Sequence, residues 1–163
     1  MPRTDREPNI VPSLLDRLLD DAPEQPQEPL WTRSQTVREL EASVARDLEE
    51  LLNSRRETME EMSQDFAEVS RSLLNYGLPD FTSFSLSGEK DRARIRRILE
   101  ETIVTYEPRL QRVRVTLEPP REHEKALRFR VDAQLRVEPT PQPVTFDTVW
   151  RVETQEYRVQ GHG

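Results

Sequence analysis

Along the first half of the chain the apolar residues return every three or four positions, and beyond Pro108 they return every second one. The first spacing is that of a helix with one buried stripe, the second that of a strand with one buried face. Between residues 12 and 21 Leu14, Leu15, Leu18 and Leu19 predict a short amphipathic helix, with Ser13 as its N-cap and Asp20 and Asp21 at its close. Residues 22–30, with Pro23, Pro26 and Pro29 among Glu and Gln, read as an extended linker. That first helix is too short to be stable alone, so it packs either on its own domain or in a groove of another subunit.

Starting at Ser34 or Thr36, Val37, Leu40, Val44, Leu48, Leu51 and Leu52 predict a helix of roughly five turns. Its polar face carries Arg38, Glu39, Arg46, Asp47, Glu49 and Glu50, and Arg55 and Arg56 are expected to place cations in its last turn. A weaker set, Met59, Met62, Phe66, Val69 and Leu73, predicts a further helix, stopped by Asn75-Tyr76-Gly77-Leu78-Pro79-Asp80. Asn75 and Gly77 both tolerate left-handed backbone, which suits a helix end and a tight turn. Ser87 is placed to cap another helix, with Ile95, Ile98, Leu99 and Ile103 inward and an arginine-rich outer side.

The helical period stops at Tyr106-Glu107-Pro108-Arg109. Proline lacks the backbone donor and drives the residue before it toward extended geometry, so Glu107 is held at the helix exit. Glu107 and Arg109 then either pair with each other or reach together into a neighbouring chain.

Past this corner Val113, Val115 and Leu117 alternate with Arg112, Arg114 and Thr116, and Leu127, Phe129, Val131, Ala133, Leu135 and Val137 alternate with polar residues. A third strand uses Val144, Phe146, Trp150 and Val152, with Tyr157 and Val159 extending it. The expected fold class is α+β: an antiparallel sheet of about three strands covered on one face by helices. Residues 1–34 form an N-terminal tail and residues 35–163 the domain. A symmetric loop around Arg121 to Glu124 would set Arg114 beside Arg130 and Arg112 beside Asp132 on the outer face. Those arginines either meet an acidic protein partner or lie solvated along the strands. The strand at residues 144–153 or the one at residues 110–118 is expected to offer an open edge to a neighbouring chain's strand.

Composition narrows the choices. Apolar residues make up 34% and charged residues 34%, against the usual roughly 45–50% and about 25%, so burial against partners is expected to add to a thin core. A net charge of −7 speaks against nucleic-acid binding. No run approaches the roughly 18 apolar residues of a membrane span, and the first thirty residues lack a secretory pattern, which predicts a cytoplasmic protein without membrane insertion. There is no cysteine, and His123 and His162 are isolated, so no cofactor or metal is expected. Glu107 is the one carboxylate flanked by apolar and aromatic neighbours, the alternative being a lysozyme-like hydrolase built on it. No second carboxylate completes such a pair and Arg109 counteracts the acid role, so no catalytic residue is assigned.

Four ordered motifs carry a resemblance: Pro12-Ser13-Leu14-Leu15-Asp16-Arg17-Leu18; Ser43-Val44-Ala45-Arg46-Asp47-Leu48-Glu49 with Leu51-Leu52-Asn53-Ser54-Arg55-Arg56; Ser72-Leu73-Leu74-Asn75-Tyr76-Gly77-Leu78-Pro79-Asp80; and Tyr106-Glu107-Pro108-Arg109. Together they resemble the TssE family, the baseplate wedge component of type VI secretion systems, which is similar to the gene 25 product of contractile phage tails. The resemblance implies a gene-25-like (gpW-like) domain with a structural, noncatalytic role. It implies a wedge contact at Glu107, Pro108 and Arg109 with TssF and TssG, and further contact residues at Arg46, Asp47, Arg55, Arg56, Asn75, Tyr76 and Gly77. It also implies sheath subunits TssB and TssC as partners, TssK as a further contact, and a cytoplasmic baseplate docked at the inner membrane complex.

Overall fold

In the computed structural model, residues 33–56, 68, 72–119 and 126–162 are described. The expected helix at residues 12–21, its proline linker and most of the expected helix after residue 57 lie outside them. The described elements are helix α1 (Arg33–Asn53), a 3-10 turn (Leu73–Asn75), helix α2 (Glu89–Tyr106) and strands β1 (Leu110–Leu117), β2 (Ala126–Leu135), β3 (Gln142–Arg151) and β4 (Glu156–His162). The strands form one antiparallel meander in the order β1-β2-β3-β4. Both helices cover the same face, α2 over β1 and α1 over β4.

The two periods converge on one core. Val44, Leu48, Leu51 and Leu52 of α1 meet Ile95, Leu99 and Ile103 of α2 and the inward residues Val115, Phe129, Val131, Leu135 and Phe146 of the sheet, all buried. Three aromatic contacts close the end of the sandwich, with Trp150 stacked on Tyr157 at 5.8 Å and set edge-on to Phe81 at 6.1 Å, and Tyr157 edge-on to Phe129 at 6.3 Å.

Four local expectations are corrected. Tyr157 and Val159 belong to a separate fourth strand, because a turn with Gln155 in left-handed backbone (φ 57°) reverses the chain after Val152. That places β3 in the interior of the sheet, so residues 144–153 offer no edge. Arg55 and Arg56 lie beyond α1: the helix closes at Asn53, whose side-chain amide donates to Glu49 O at 2.8 Å, and Arg55 forms a parallel bridge with Leu78. Gly88 and not Ser87 is the N-cap of α2, and Asp91 in the first turn accepts from Ser85 N at 2.8 Å.

The outer-face register also differs. Arg114 lies opposite Asp132 and Arg130 opposite Thr116, two positions from the expected pairing, and a bulge between Gln111 and Arg114 then shifts the register by one residue toward the start of the strand. Arg112 occupies that bulge at φ 54°. The extra residue lets Leu110 and Val115, an odd number of positions apart, both turn into the core.

Candidate functional site

The corner begins where α2 ends. Glu107 N donates to Ile103 O at 2.9 Å, and Glu107 then leaves helical geometry at φ −116°, ψ 82°, as the following proline demands. Three residues later the chain enters β1, so the side chains of Glu107 and Arg109 project from one tight bend.

There they pair with each other. Arg109 donates through Nε to Glu107 Oε1 at 2.7 Å and through Nη2 to Glu107 Oε2 at 2.5 Å, a two-bond fork, and its backbone N–H reaches Oε1 at 3.1 Å. Nη2 also donates to Asp47 Oδ2 at 2.6 Å and Nη1 to Ser43 Oγ at 3.2 Å. Four of the five guanidinium N–H groups are thereby directed at oxygens of this chain. The hydrogen bonds from Glu107, and next those of Asp47, raise the Arg109 pKa above its ordinary value against the opposing effect of burial. Glu107 is buried at 4% exposure, whereas the Arg109 side chain keeps 26% and Asp47 29%. The corner is therefore a clasp that fastens the α2–β1 junction to the middle of α1.

Several other sequence-predicted residues gather around it. Arg46 extends the charge chain outward, 3.5 Å from Asp47 Oδ1. Tyr106 donates to Ser72 O at 3.0 Å and stands edge-on to Tyr76 at 5.2 Å, which brings the 3-10 turn against the clasp. Burial raises the Tyr76 phenol, helped by the carboxylates of Glu50, Asp47 and Glu107. Asn75 is buried, and Gly77 lies at φ 99° with Leu78 N donating to Ser54 O at 2.8 Å. A Cβ on Gly77 would meet Ser54 O at 2.3 Å, so both backbone angle and closeness require glycine. Arg56 N donates to Leu78 O at 2.9 Å in the same pairing. The Arg56 charge opposes the burial that raises the Tyr106 phenol, while the Arg55 charge acts on Tyr157 across the molecule's other side.

Arg114 and Arg130 do not join this site. They lie on the outer sheet face, where Arg130 Nε donates to Asp147 Oδ1 at 2.9 Å. Sequence reasoning missed Ser43 as the third partner of Arg109, although Ser43 and Asp47 stand four apart on α1, the spacing of one face. Among the described residues no group of three or more His, Asp or Glu could hold a metal ion.

The sequence profile described as "Baseplate wedge protein gp25" matches residues 38–140. The chain belongs to the gp25 baseplate wedge protein family. A solved chain titled "The baseplate complex from the type VI secretion system" is similar in fold, with a TM-score of 0.52 and 20% identity over 74% of this chain and 95% of that one. No curated protein sequence matches. The wedge-family match spans α1 from Arg38 onward, the 3-10 turn, α2, β1 and β2, and so includes every residue of the clasp.

Proposed function

We propose that this chain is a TssE-like, noncatalytic structural part of a type VI secretion baseplate. Its clasp fixes the shape of a contact with the wedge subunits TssF and TssG. The observation that carries this reading is the family match laid over the Glu107-Arg109-Asp47 clasp. Glu107 gives both oxygens to Arg109 inside a buried corner, a use that supports architecture over hydrolysis. The exposed side of the same corner, Pro108, Arg46 and the free edge of the Arg109 guanidinium, is what a partner would touch, with Asn75, Tyr76, Gly77 and Arg56 shaping the wall beside it. The baseplate acts on the cytoplasmic side, docked at the inner membrane complex; no helix among the described residues is long and apolar enough to cross a membrane. TssK is a further contact, the arginine-bearing outer face of Arg114 and Arg130 meets an acidic partner, and the sheath subunits TssB and TssC approach through the β1 edge.

Coexpression with the TssF and TssG encoded in the same genome tests the reading. The wild-type chain should copurify with both, and a Pro108→Ala, Arg46→Ala variant of unchanged stability should lose at least ten-fold in recovery. Failure of the wild-type chain to copurify, or peptidoglycan hydrolysis abolished by Glu107→Gln, would overturn it.

A further inference from the structure

A four-stranded open sheet ends in two strands whose outward N–H and C=O groups form a template for another strand. In this molecule the helices reach over the sheet and occupy that template at both ends. On β4, whose pairing sets Thr148 opposite Val159 and Trp150 opposite Tyr157, the outward groups belong to Tyr157, Val159 and Gly161. Asn53 of α1 takes both groups of Tyr157, accepting from its N–H at 2.9 Å and donating to its C=O at 3.1 Å. Glu49, one turn earlier, accepts from Val159 N at 2.9 Å and from Arg158 Nη1 at 3.1 Å. Glu41, two turns earlier again, lies against Gly161, where an added Cβ would stand 2.9 Å from Oε1. The four-residue step from Asn53 to Glu49, roughly 6 Å of helix rise, matches the two-residue advance from Tyr157 to Val159, and Glu41 further along the same helix reaches Gly161, so α1 lines the β4 edge.

On β1 the cover is lighter. Glu118 N donates to Arg128 O, and Thr116 and Arg114 face β2 in the same phase, so Val115 and Leu117 turn their backbone groups outward. Glu100 of α2 accepts from Val115 N at 2.9 Å. Arg92 donates through Nη2 to Leu117 O at 3.4 Å and Glu118 O at 2.7 Å, and through Nη1 to Leu86 O at 3.3 Å. Beyond them, toward the start of the strand, lies the Arg112 bulge, which breaks the ladder and limits any pairing to roughly residues 113–118.

We propose that Glu100 and Arg92 are seals that keep the β1 edge from pairing with the β1 edge of a second copy of this chain, and that of the two described sheet edges β1 is the one able to accept such a strand. Two features of the strand favour a second copy as the occupant. The segment 113–118, Val-Arg-Val-Thr-Leu-Glu, alternates apolar and polar residues, so two copies laid antiparallel would continue both the buried face and the polar face. The antiparallel arrangement also carries the Arg114 of each copy toward the Glu118 of the other. The inference stands on these hydrogen bonds and does not rest on the secretion reading.

The test uses the full chain with Glu100→Ala and Arg92→Ala combined, beside Glu49→Ala with Asn53→Ala. Sedimentation equilibrium should show the wild type as a single-chain species and the α2 pair of substitutions doubling in mass with concentration. Hydrogen exchange should show the Val115 amide slowed at high concentration and exchanging at least ten-fold faster at low concentration. A third variant adds Leu117→Pro to the α2 pair, removing an outward donor without touching the β2 ladder, and should return the protein to a single-chain species. An α2-pair variant that keeps the wild-type circular dichroism yet stays single-chain at millimolar concentration overturns the proposal, as does doubling that persists with Leu117→Pro. Association of the α1 pair equal to that of the α2 pair would also overturn it, because it would show β4 to be as open as β1.

Discussion

At the scale of single residues, the clasp shows why a buried ion pair and a partner contact are not alternatives. Glu107 is held below 5% exposure by a guanidinium that also binds Ser43 and Asp47, so removing Arg109 strands a carboxylate in a corner sealed by backbone and helix. Breaking one side of a buried pair costs about 3–5 kcal/mol, whereas replacing both partners by apolar groups is often close to neutral. Arg109→Met should therefore lower the unfolding free energy by about 3–5 kcal/mol. Glu107→Leu with Arg109→Met should recover more than half of that, read by urea denaturation of the two variants and of Glu107→Leu alone. Exchanging the charges, Glu107→Arg with Arg109→Glu, should fail to recover stability, because Asp47 would then face a carboxylate in place of a donor at 2.6 Å. Equal stability of the exchanged variant and the wild type would show that Asp47 takes no part in the clasp.

The elements divide by how locally their causes act. Both described helices were legible because each carries a full apolar stripe: Val44, Leu48, Leu51 and Leu52 on one, Ile95, Leu99 and Ile103 on the other, all of them buried. The corner was legible because proline acts on its immediate neighbour. The fourth strand was not, since Tyr157 and Val159 continue the period of β3 and the reversal depends on Gln155 adopting a conformation that sequence does not favour. The outer-face register was not legible either: Arg114 meets Asp132 and not Arg130, an offset of two residues with no local signal, and the bulge at Arg112 shifts the pairing by one residue beyond it, toward Leu110. The side chains that cover the sheet edges carry no local signal, because Glu49 and Val159 are 110 positions apart and meet only in the fold. The bulge itself can be tested. A left-handed L-residue costs roughly 1–2 kcal/mol and glycine escapes that while losing about 0.5–1 in chain entropy, so Arg112→Gly should be neutral or stabilising by up to about 1 kcal/mol. Arg112→Val, stiff at Cβ, should destabilise by roughly 1–2 kcal/mol in the same denaturation assay, and the reverse order would contradict the left-handed bulge.

For the whole molecule, the charge balance is carried by carboxylates and arginines, with two lysines in the sequence, so little of it titrates between neutrality and pH 10. The exceptions are the tyrosines. All three have phenols raised above their ordinary 10.0, each first by burial, and Tyr157, under 6% exposed between Trp150 and Phe129, is raised furthest. A raised phenol pKa means that the folded chain keeps protons which the unfolded chain releases once pH passes about 10. Stability is then fully present below pH 10 and falls as pH rises toward the folded value, by up to about 1.4 kcal/mol per pH unit for each phenol still protonated in the fold. Arg109 adds nothing in this window, because its pKa is raised above the ordinary guanidinium value and it is charged in both states until higher pH. Denaturation midpoints should accordingly stay level from pH 7 to about 9.5 and drop steeply from 10 to 11.5, with the phenolate absorbance appearing together with unfolding. Tyr157→Phe keeps the stacked and edge-on ring contacts and removes the titration that burial opposes most, so it should flatten the alkaline drop more than Tyr76→Phe or Tyr106→Phe. A Tyr157→Phe chain whose stability falls as steeply as the wild type's above pH 10 would assign the alkaline transition to other groups and leave the Tyr157 ring with a packing role alone.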